Sequence, residues 1–227
     1  MLNELKEKVY RANLDLVEYG LVLFTFGNAS CIDREKGWIV IKPSGVDYGR
    51  MKPRDMVVVD LEGNVVEGRL KPSTDTPTHI ELYRAFPKIG GIAHTHSTYA
   101  TAWAQAGRNI PILGTTHADH FAQPIPCTAV MAPEEVEGDY EKQTGGVIIR
   151  TFNDISYEHV PGVLVRNHGP FTWGKDPEDA VYNSVILEEL ARMACLTLAI
   201  NPETTMNKAL IRRHYERKHG KDAYYGQ

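Results

Sequence analysis

The stretch Ile89-Gly90-Gly91-Ile92-Ala93-His94-Thr95-His96 joins a short apolar run to a pair of histidines. The run is typical of a buried β-strand, whose end would place the histidines at the rim of a sheet, where binding sites commonly lie. Residues two apart on a strand point to the same face, so His94 and His96 can both reach one ion while Thr95 faces away. The stretch therefore predicts a strand that ends in a metal site.

A third histidine, His168, lies far downstream in Asn167-His168-Gly169-Pro170, again after an apolar run. Three neutral imidazoles leave an ion its full charge and an open coordination position, which favours a catalytic zinc over a sealed structural zinc. The alternative is that His94 and His96 are core or strand-capping histidines, since the chain contains nine histidines and chance pairs are expected. The apolar run before the pair favours the metal site, and hence an enzyme.

Composition limits the class of protein. The chain has 227 residues, 42% hydrophobic and 24% charged, so we expect a single domain over residues 1–227. The net charge of −4 gives no global field for binding nucleic acid or an anionic membrane. No apolar stretch reaches the roughly 18 residues that span a bilayer, and the first residues lack a signal-peptide pattern. We therefore expect a cytoplasmic protein.

Cysteines and basic residues indicate no further site. Cys31, Cys127 and Cys195 are widely spaced and odd in number, which predicts neither a disulfide framework nor a thiolate metal site. We interpret them as small core residues. The basic run at residues 212–219 is interpreted as a solvated face of a helix.

Strand and helix patterns alternate along the chain. Apolar residues at helical spacing predict a first helix from about residue 2 to Gly20. Further helices are predicted to begin at Thr76-Pro77, to cover about 97–105, to run from the cap at 176–179 towards 200, and to cover about 204–218. Strands are predicted at 38–41, 56–61, 65–66 after a hairpin turn at 62–64, 147–149 and 162–165.

Seven short motifs occur in an order typical of one family. They are FGN at 26–28, IKPSGV at 41–46, STDT at 73–76, HTHS at 94–97, GTTHAD at 114–119, NHGP at 167–170 and AYYGQ at 223–227. On these motifs nearly the whole chain resembles the class II aldolase and L-ribulose-5-phosphate 4-epimerase family, and the epimerase branch most closely. The resemblance implies an α/β fold of three layers, α/β/α, around a mainly antiparallel central sheet. It also implies a homotetramer, of C4 symmetry, with active sites between adjacent subunits.

The family's chemistry explains the need for a metal. C4 of a 2-ketopentose phosphate is β to the carbonyl, so its hydrogen is not acidic, but the C3–C4 bond can break by a retro-aldol step. The resemblance assigns to His94, His96 and His168 a zinc ion, replaceable by Mn2+ or Co2+, that stabilises the developing charge. It places Asp75 near this metal. Aldolases usually have glutamate at that position, so the shorter aspartate favours epimerisation.

By resemblance, Asp119 and Tyr225 transfer protons on the two faces of the cleaved aldehyde, and the neighbouring subunit contributes Tyr225. From the residues alone, Asp119 could equally be a helix cap, and Tyr225 could simply dock a C-terminal tail. Thr115, Glu141 and His214 also align with positions near the family's active site.

Binding of the substrate phosphate is implied for a set of residues that offers hydroxyls, exposable backbone N–H groups and one positive charge. They are Gly27, Asn28, Lys42, Ser44, Gly45, Ser73 and Thr74. Family epimerases often have serine where this chain has Thr74, which keeps the hydroxyl and adds a methyl group. On its own, the segment at 42–45 is also compatible with an ordinary turn.

Three hypotheses follow for the function. The first is epimerisation of L-ribulose 5-phosphate to D-xylulose 5-phosphate, which would serve arabinose, ascorbate or another pentose source. The second is a sugar-phosphate aldolase that retains the metal but releases its aldehyde. The third is a non-catalytic module that binds a metal or a sugar phosphate without turnover, and the joint presence of Asp119 and Tyr225 argues against it.

Overall fold

Residues 2–225 are described by a computed structural model of the chain. The strands are β1 Asn28–Asp33, β2 Trp38–Ile41, β3 Val57–Asp60, β4 Val65–Glu67, β5 Gly91–His94, β6 Gly162–Val165 and β7 Gly169–Gly174. The helices are α1 Leu2–Glu18, α2 Thr76–Ala85, α3 Thr98–Ala106, α4 Thr115–Ala118, α5 Pro133–Glu137, α6 Tyr140–Thr151, α7 Pro177–Ile200 and α8 Lys208–His219, with one 3-10 turn at Pro53–Asp55.

The strands form one sheet in the order β4-β3-β2-β1-β5-β7-β6. Every neighbouring pair is antiparallel, which confirms the predicted antiparallel α/β class. Alternate side chains point to opposite faces of each strand. On β1, Ala29 and Cys31 join the core that packs under α1, whereas Ile32 joins the larger core on the opposite face, under α2, α3 and α6. Helices therefore cover both faces, as the three-layer prediction requires.

The two glycines of the opening stretch allow α7 to begin close to β5. A Cβ atom on Gly90 or Gly91 would collide with the backbone of Lys175 or Asp176. Asp176 is the N-cap of α7, and its side chain accepts a hydrogen bond of 2.8 Å from the amide of Asp179. The glycines thus let the longest helix pack against the strand that leads to His94.

Some sequence predictions about local structure were wrong. Residues 147–149 belong to helix α6, because Val147 and Ile148 are its buried face and follow Thr144 at helical spacing. The last helix begins at Lys208 rather than near Thr204, with Asn207 as its N-cap. Strands β1 and β7 were not predicted.

The cysteine prediction is correct only in part. Cys31 is buried as expected, but Cys127 is only partly buried and Cys195, on α7, is exposed. No helix within residues 2–225 is long and apolar enough to cross a bilayer.

Candidate active site

Three loop or strand ends bring the histidines together. His94 is the last residue of β5, His96 lies in the link to α3, and His168 lies in the turn between β6 and β7. The Nε2 atoms of His94 and His96 are 3.1 Å apart, and one ligand nitrogen from each of the three histidines lies within 4.8 Å of the others. The prediction that His96 shares a strand with His94 was wrong, since β5 ends first, but the turn after the strand still directs both rings to one point.

Neighbouring groups orient two of these rings. The Nδ1 atom of His94 lies 2.9 Å from the carbonyl oxygen of Pro170, and the ring stacks on Phe171 with centroids 4.1 Å apart. The Nδ1 atom of His168 lies 3.2 Å from the hydroxyl oxygen of Tyr140. When each Nδ1 carries the proton and donates it, each Nε2 keeps a free lone pair for a metal.

The donor set fits a divalent transition metal. Nitrogens bound at about 2.0–2.1 Å to a tetrahedral ion lie roughly 3.3 Å from one another, close to the 3.1 Å between His94 and His96. Burial and the neighbouring imidazoles lower the pKa of His96, and lower that of His168 to about 4. Both rings are therefore neutral at pH 7, the form that binds metals.

Asp75 lies beside the histidines without joining the cluster. It precedes α2, and its carboxylate accepts a 2.6 Å hydrogen bond from the Nδ2 atom of Asn28, which also lies 3.1 Å from Ser73 Oγ. Burial raises the pKa of this carboxyl, but His94, His79 and Asn28 outweigh burial and hold the pKa below its usual value. Among residues 2–225, the group of ligand atoms within 4.8 Å consists of the histidines alone, so ligation by Asp75 stays a prediction.

A buried lysine lies at the other end of the same cleft. Lys42 is 2% exposed, and its Nζ atom has only long contacts of 3.4 Å to the carbonyl oxygens of Thr25 and Pro43. It lies 4.7 Å from the ring centroid of Tyr48. Within the described part of the chain no carboxylate forms an ion pair with it. Burial lowers the pKa of Lys42 to about 8. A buried cation without an acidic partner is suited to an anionic ligand.

Two backbone segments form the wall around Lys42. The amide of Ser44 donates to Lys71 O at 2.9 Å, and the amide of Ser73 donates to Lys42 O at 2.9 Å. Gly45 has a φ of +66°, a conformation that favours glycine. Gly27 has a φ of +71°, and a Cβ there would lie 2.7 Å from His94 O. Both glycines therefore keep the backbone close to the ligand space.

Most predicted site residues line one cavity of about 420 Å³, which we call the histidine cleft. The predicted residues that line it are Gly27, Asn28, Lys42, Ser44, Gly45, Ser73, Thr74, Asp75, His94, His96, Glu141 and His168. The cleft thus joins a three-imidazole cluster to a pocket with one buried positive charge.

The other predicted residues are not brought to the histidine cleft of their own chain. Asp119 follows α4, and its carboxylate contacts His214 Nδ1 at 3.1 Å and Arg217 Nη2 at 2.8 Å. Arg217 also lies over the ring of Tyr225, and Thr115 O accepts a hydrogen bond from the amide of Asp119. We call these five residues the α8 cluster. The run at 212–219 is therefore not merely a solvated helix face, because part of it binds Asp119.

Sequence reasoning missed two residues of these groups. Tyr140 adjoins the predicted Glu141 and contacts His168, and only the fold reveals this contact. Arg217 was included in the basic run, although its spacing of three residues from His214 places both on one face of a helix. That spacing was the available signal.

Comparison with known proteins decides the family. The model of the class II aldolase and adducin N-terminal domain matches residues 7–195. The chain belongs to the class II aldolase family. It is 57% identical, over all 227 residues and 100% of both proteins, to an L-ribulose-5-phosphate 4-epimerase, UlaF, of Salmonella paratyphi B (strain ATCC BAA-1250 / SPB7).

Solved structures of class II aldolases share the fold. An L-fuculose 1-phosphate aldolase superposes with a TM-score of 0.79 at 27% identity, covering 94% of this chain and 95% of that one. The corresponding aldolase of Thermus thermophilus has a TM-score of 0.68 at 25% identity, covering 89% of this chain and 99% of that one. The class II aldolase family is metal-dependent, and the histidine cluster of this member offers the ligands for a metal.

Tyr140 provides a test of the metal centre. Tyr140→Phe removes the oxygen that can hold His168 in the metal-binding tautomer, so we expect metal affinity to fall by about 10- to 100-fold without loss of folding. Competition with a chelating dye measures the dissociation constant. Tyr182→Phe, on the exposed side of α7, is the control. An unchanged dissociation constant in Tyr140→Phe would show that the hydroxyl does not support His168.

Proposed function

We propose that the chain is an L-ribulose-5-phosphate 4-epimerase, which interconverts L-ribulose 5-phosphate and D-xylulose 5-phosphate. The observation that carries this proposal is the histidine cleft, which joins a three-imidazole cluster to a buried lysine without an acidic partner. A phosphorylated ketose presents oxygens to the first and a phosphate to the second. The full-length identity of 57% to an epimerase supports the same substrate.

His94, His96 and His168 hold the metal in this proposal, with Asp75 beside it. Zinc suits a site of three nitrogens, and Mn2+ or Co2+ are its replacements. When bound, the ion supplies Lewis-acid stabilisation of the negative charge that develops as the C3–C4 bond breaks.

The other cleft residues bind the phosphate. Lys42 supplies the positive charge, while Asn28, Ser44, Ser73 and Thr74 offer side-chain donors, and Gly27 and Gly45 allow a close approach of the backbone. Held at this end, the two-carbon aldehyde stays in the cleft after cleavage. It can then turn over and be attacked on its opposite face, which inverts C4.

Asp119 and Tyr225 transfer the proton at the C4 oxygen, one on each face of the aldehyde. Neither lines the cleft of its own chain, so this role requires a neighbouring subunit. Exposed apolar side chains at the cleft mouth support such a contact: Leu23 is 67% and Phe24 79% exposed, next to Phe26, which lines the cleft. We therefore propose a homotetramer of C4 symmetry whose active sites are shared, with Thr115, Glu141 and His214 close to the substrate.

A class II sugar-phosphate aldolase is the second candidate. The fold similarity to L-fuculose 1-phosphate aldolase favours it, whereas the short acidic side chain of Asp75 favours the epimerase. A coupled assay that follows D-xylulose 5-phosphate formed from L-ribulose 5-phosphate tests the first candidate. Free glycolaldehyde phosphate, trapped by a dehydrogenase, would instead indicate the aldolase, and neither product would contradict both.

Lys42 gives a test of substrate binding. Lys42→Met is expected to raise the KM for L-ribulose 5-phosphate by about tenfold or more and to change kcat less, since a charge-assisted hydrogen bond to phosphate is lost. Lys36→Met, on the surface beside Trp38, is the control. An unchanged KM in Lys42→Met would remove the lysine from the phosphate site.

The same lysine predicts a pH dependence. Burial lowers the pKa of Lys42 to about 8, so the anion-binding form is present below that pH and is lost above it. We expect kcat/KM to fall as the pH rises through about 8 and this limb to be absent in Lys42→Met. An identical alkaline limb in both proteins would assign it to another group.

A further inference from the structure

Arg217 contacts both of the residues to which acid–base roles are assigned. On one side its Nε atom lies 3.1 Å from Asp119 Oδ1 and its Nη2 atom 2.8 Å from Asp119 Oδ2. On the other side its guanidinium carbon lies 4.2 Å from the ring centroid of Tyr225. The backbone oxygen of Arg217 also accepts hydrogen bonds from the amides of Tyr224, at 3.0 Å, and Tyr225, at 3.2 Å. One residue of α8 therefore joins the segment after α4 to the chain end.

The contact with Asp119 has the geometry of a forked pair. The planar guanidinium donates to both carboxylate oxygens at once, which fixes the plane of the carboxylate as well as its position. The pair is mostly shielded from solvent, since the side chains of Arg217 and Asp119 are 23% and 12% exposed. A lysine could offer only a single ammonium group, without this fork.

The arrangement leaves Asp119 able to act. Oδ1 contacts both Arg217 and His214, whereas Oδ2 has one protein donor, Arg217. Burial raises the pKa of the Asp119 carboxyl, but the hydrogen bonds from Arg217 and His214 outweigh burial and keep it below the usual value. His120, next in the chain, and His219, whose Nε2 lies 2.8 Å from Asp119 O, are the other titratable groups that face this residue. Asp119 is thus held ionised, with one oxygen less occupied than the other.

We propose that Arg217 is a positioning residue, which holds the Asp119 carboxylate and the Tyr225 ring as one unit so that both face the same reacting carbon. The inference rests on the function proposed above. It adds that the two groups come from one chain: whichever subunit supplies Tyr225 to a site also supplies Asp119.

Variants of Arg217 test this role. We expect Arg217→Ala to lower kcat by about two orders of magnitude with a small change in KM, because a misplaced base or acid affects the chemical step. Arg217→Lys, which keeps the charge but loses the fork, should retain more activity than Arg217→Ala. Arg212→Ala is the matched control, because it removes the same charge from an exposed position of the same helix. All three proteins should keep the metal content of the wild type.

Two readouts separate positioning from mere structural support. Loss of Arg217 should raise the pKa of Asp119, so the acid limb of the kcat/KM profile should move to higher pH. Guanidinium ion at millimolar concentration should restore part of the activity of Arg217→Ala and leave Arg212→Ala unchanged. A folded, metal-loaded Arg217→Ala with wild-type kcat would overturn the proposal. So would a loss of kcat with neither a shifted limb nor rescue.

A third measurement does not depend on epimerase activity. Carboxypeptidase should remove Tyr225 faster from Arg217→Ala than from Arg212→Ala, since the ring loses its partner. Equal rates would overturn the tie between Arg217 and the chain end. An inactive wild type would contradict the proposed function instead, and the trimming rates would still test the contact.

Discussion

His96→Asn is expected to abolish most metal binding and to lower turnover by about a thousandfold or more, while the protein stays folded. Removing one of three imidazoles leaves the ion with too few protein ligands, and the Lewis-acid contribution of several kcal/mol is lost with it. Folding should persist because His96 is exposed and contacts mainly His94 and, at 6.2 Å between ring centroids, Phe26. Metal content by elemental analysis and the coupled assay measure both effects.

His159→Asn is the control for this experiment, since His159 is exposed and lies away from the cluster. It should keep the metal and the rate of the wild type. A His96→Asn protein with wild-type metal content and rate would contradict the assignment of the three histidines. Circular dichroism distinguishes either result from unfolding.

Mixing two inactive variants is expected to restore activity when the variants lie on opposite sides of a shared site. Asp119→Asn and Tyr225→Phe should each lower turnover by about two orders of magnitude with the metal retained. Refolding His96→Asn chains together with Tyr225→Phe chains should create sites that join intact histidines to an intact tyrosine. In a ring with one site per pair of neighbours, random mixing at equal amounts makes about a quarter of the sites complete.

A second mixture tests which residues travel together. Because Arg217 ties Asp119 to Tyr225 within one chain, Asp119→Asn mixed with Tyr225→Phe should stay inactive, since every site then lacks one of the two groups. Recovery in this mixture would mean that Asp119 serves the histidines of its own chain. Mass spectrometry must verify mixed oligomers in both samples. Verified oligomers without recovery in the His96→Asn mixture would contradict the shared site.

Local patterns predicted the residues of the histidine cleft better than the sheet around them. The apolar run before His94 identified β5, and the motifs located the loops at 42–45 and 73–75. By contrast, β1 and β7 carry polar, glycine and proline residues, such as Asn28, Ser30 and Pro170. These strands are buried because their neighbours cover them. Residues 147–149 show the opposite case, in which β-branched side chains form the buried face of a helix.

Contacts between distant segments could not be predicted from spacing. Asp119 and Arg217 are 98 residues apart, and Tyr140 and His168 are 28 apart. Each pair depends on how helices pack on the sheet, as α4 does against α8. The separation of the α8 cluster from the histidine cleft was equally hidden, because motifs reveal which residues act but not which chain supplies them.

Isotope crossover tests most directly whether the chain breaks the C3–C4 bond and keeps both halves. Equal amounts of L-ribulose 5-phosphate labelled with 13C at C1 and L-ribulose 5-phosphate labelled at C5 are incubated with the metal-loaded enzyme. Mass spectrometry then counts the labels in the D-xylulose 5-phosphate formed early in the reaction. We predict that D-xylulose 5-phosphate forms and that each molecule carries one label. Doubly labelled and unlabelled products, which require release of the aldehyde, or no D-xylulose 5-phosphate at all, would contradict the proposed epimerase.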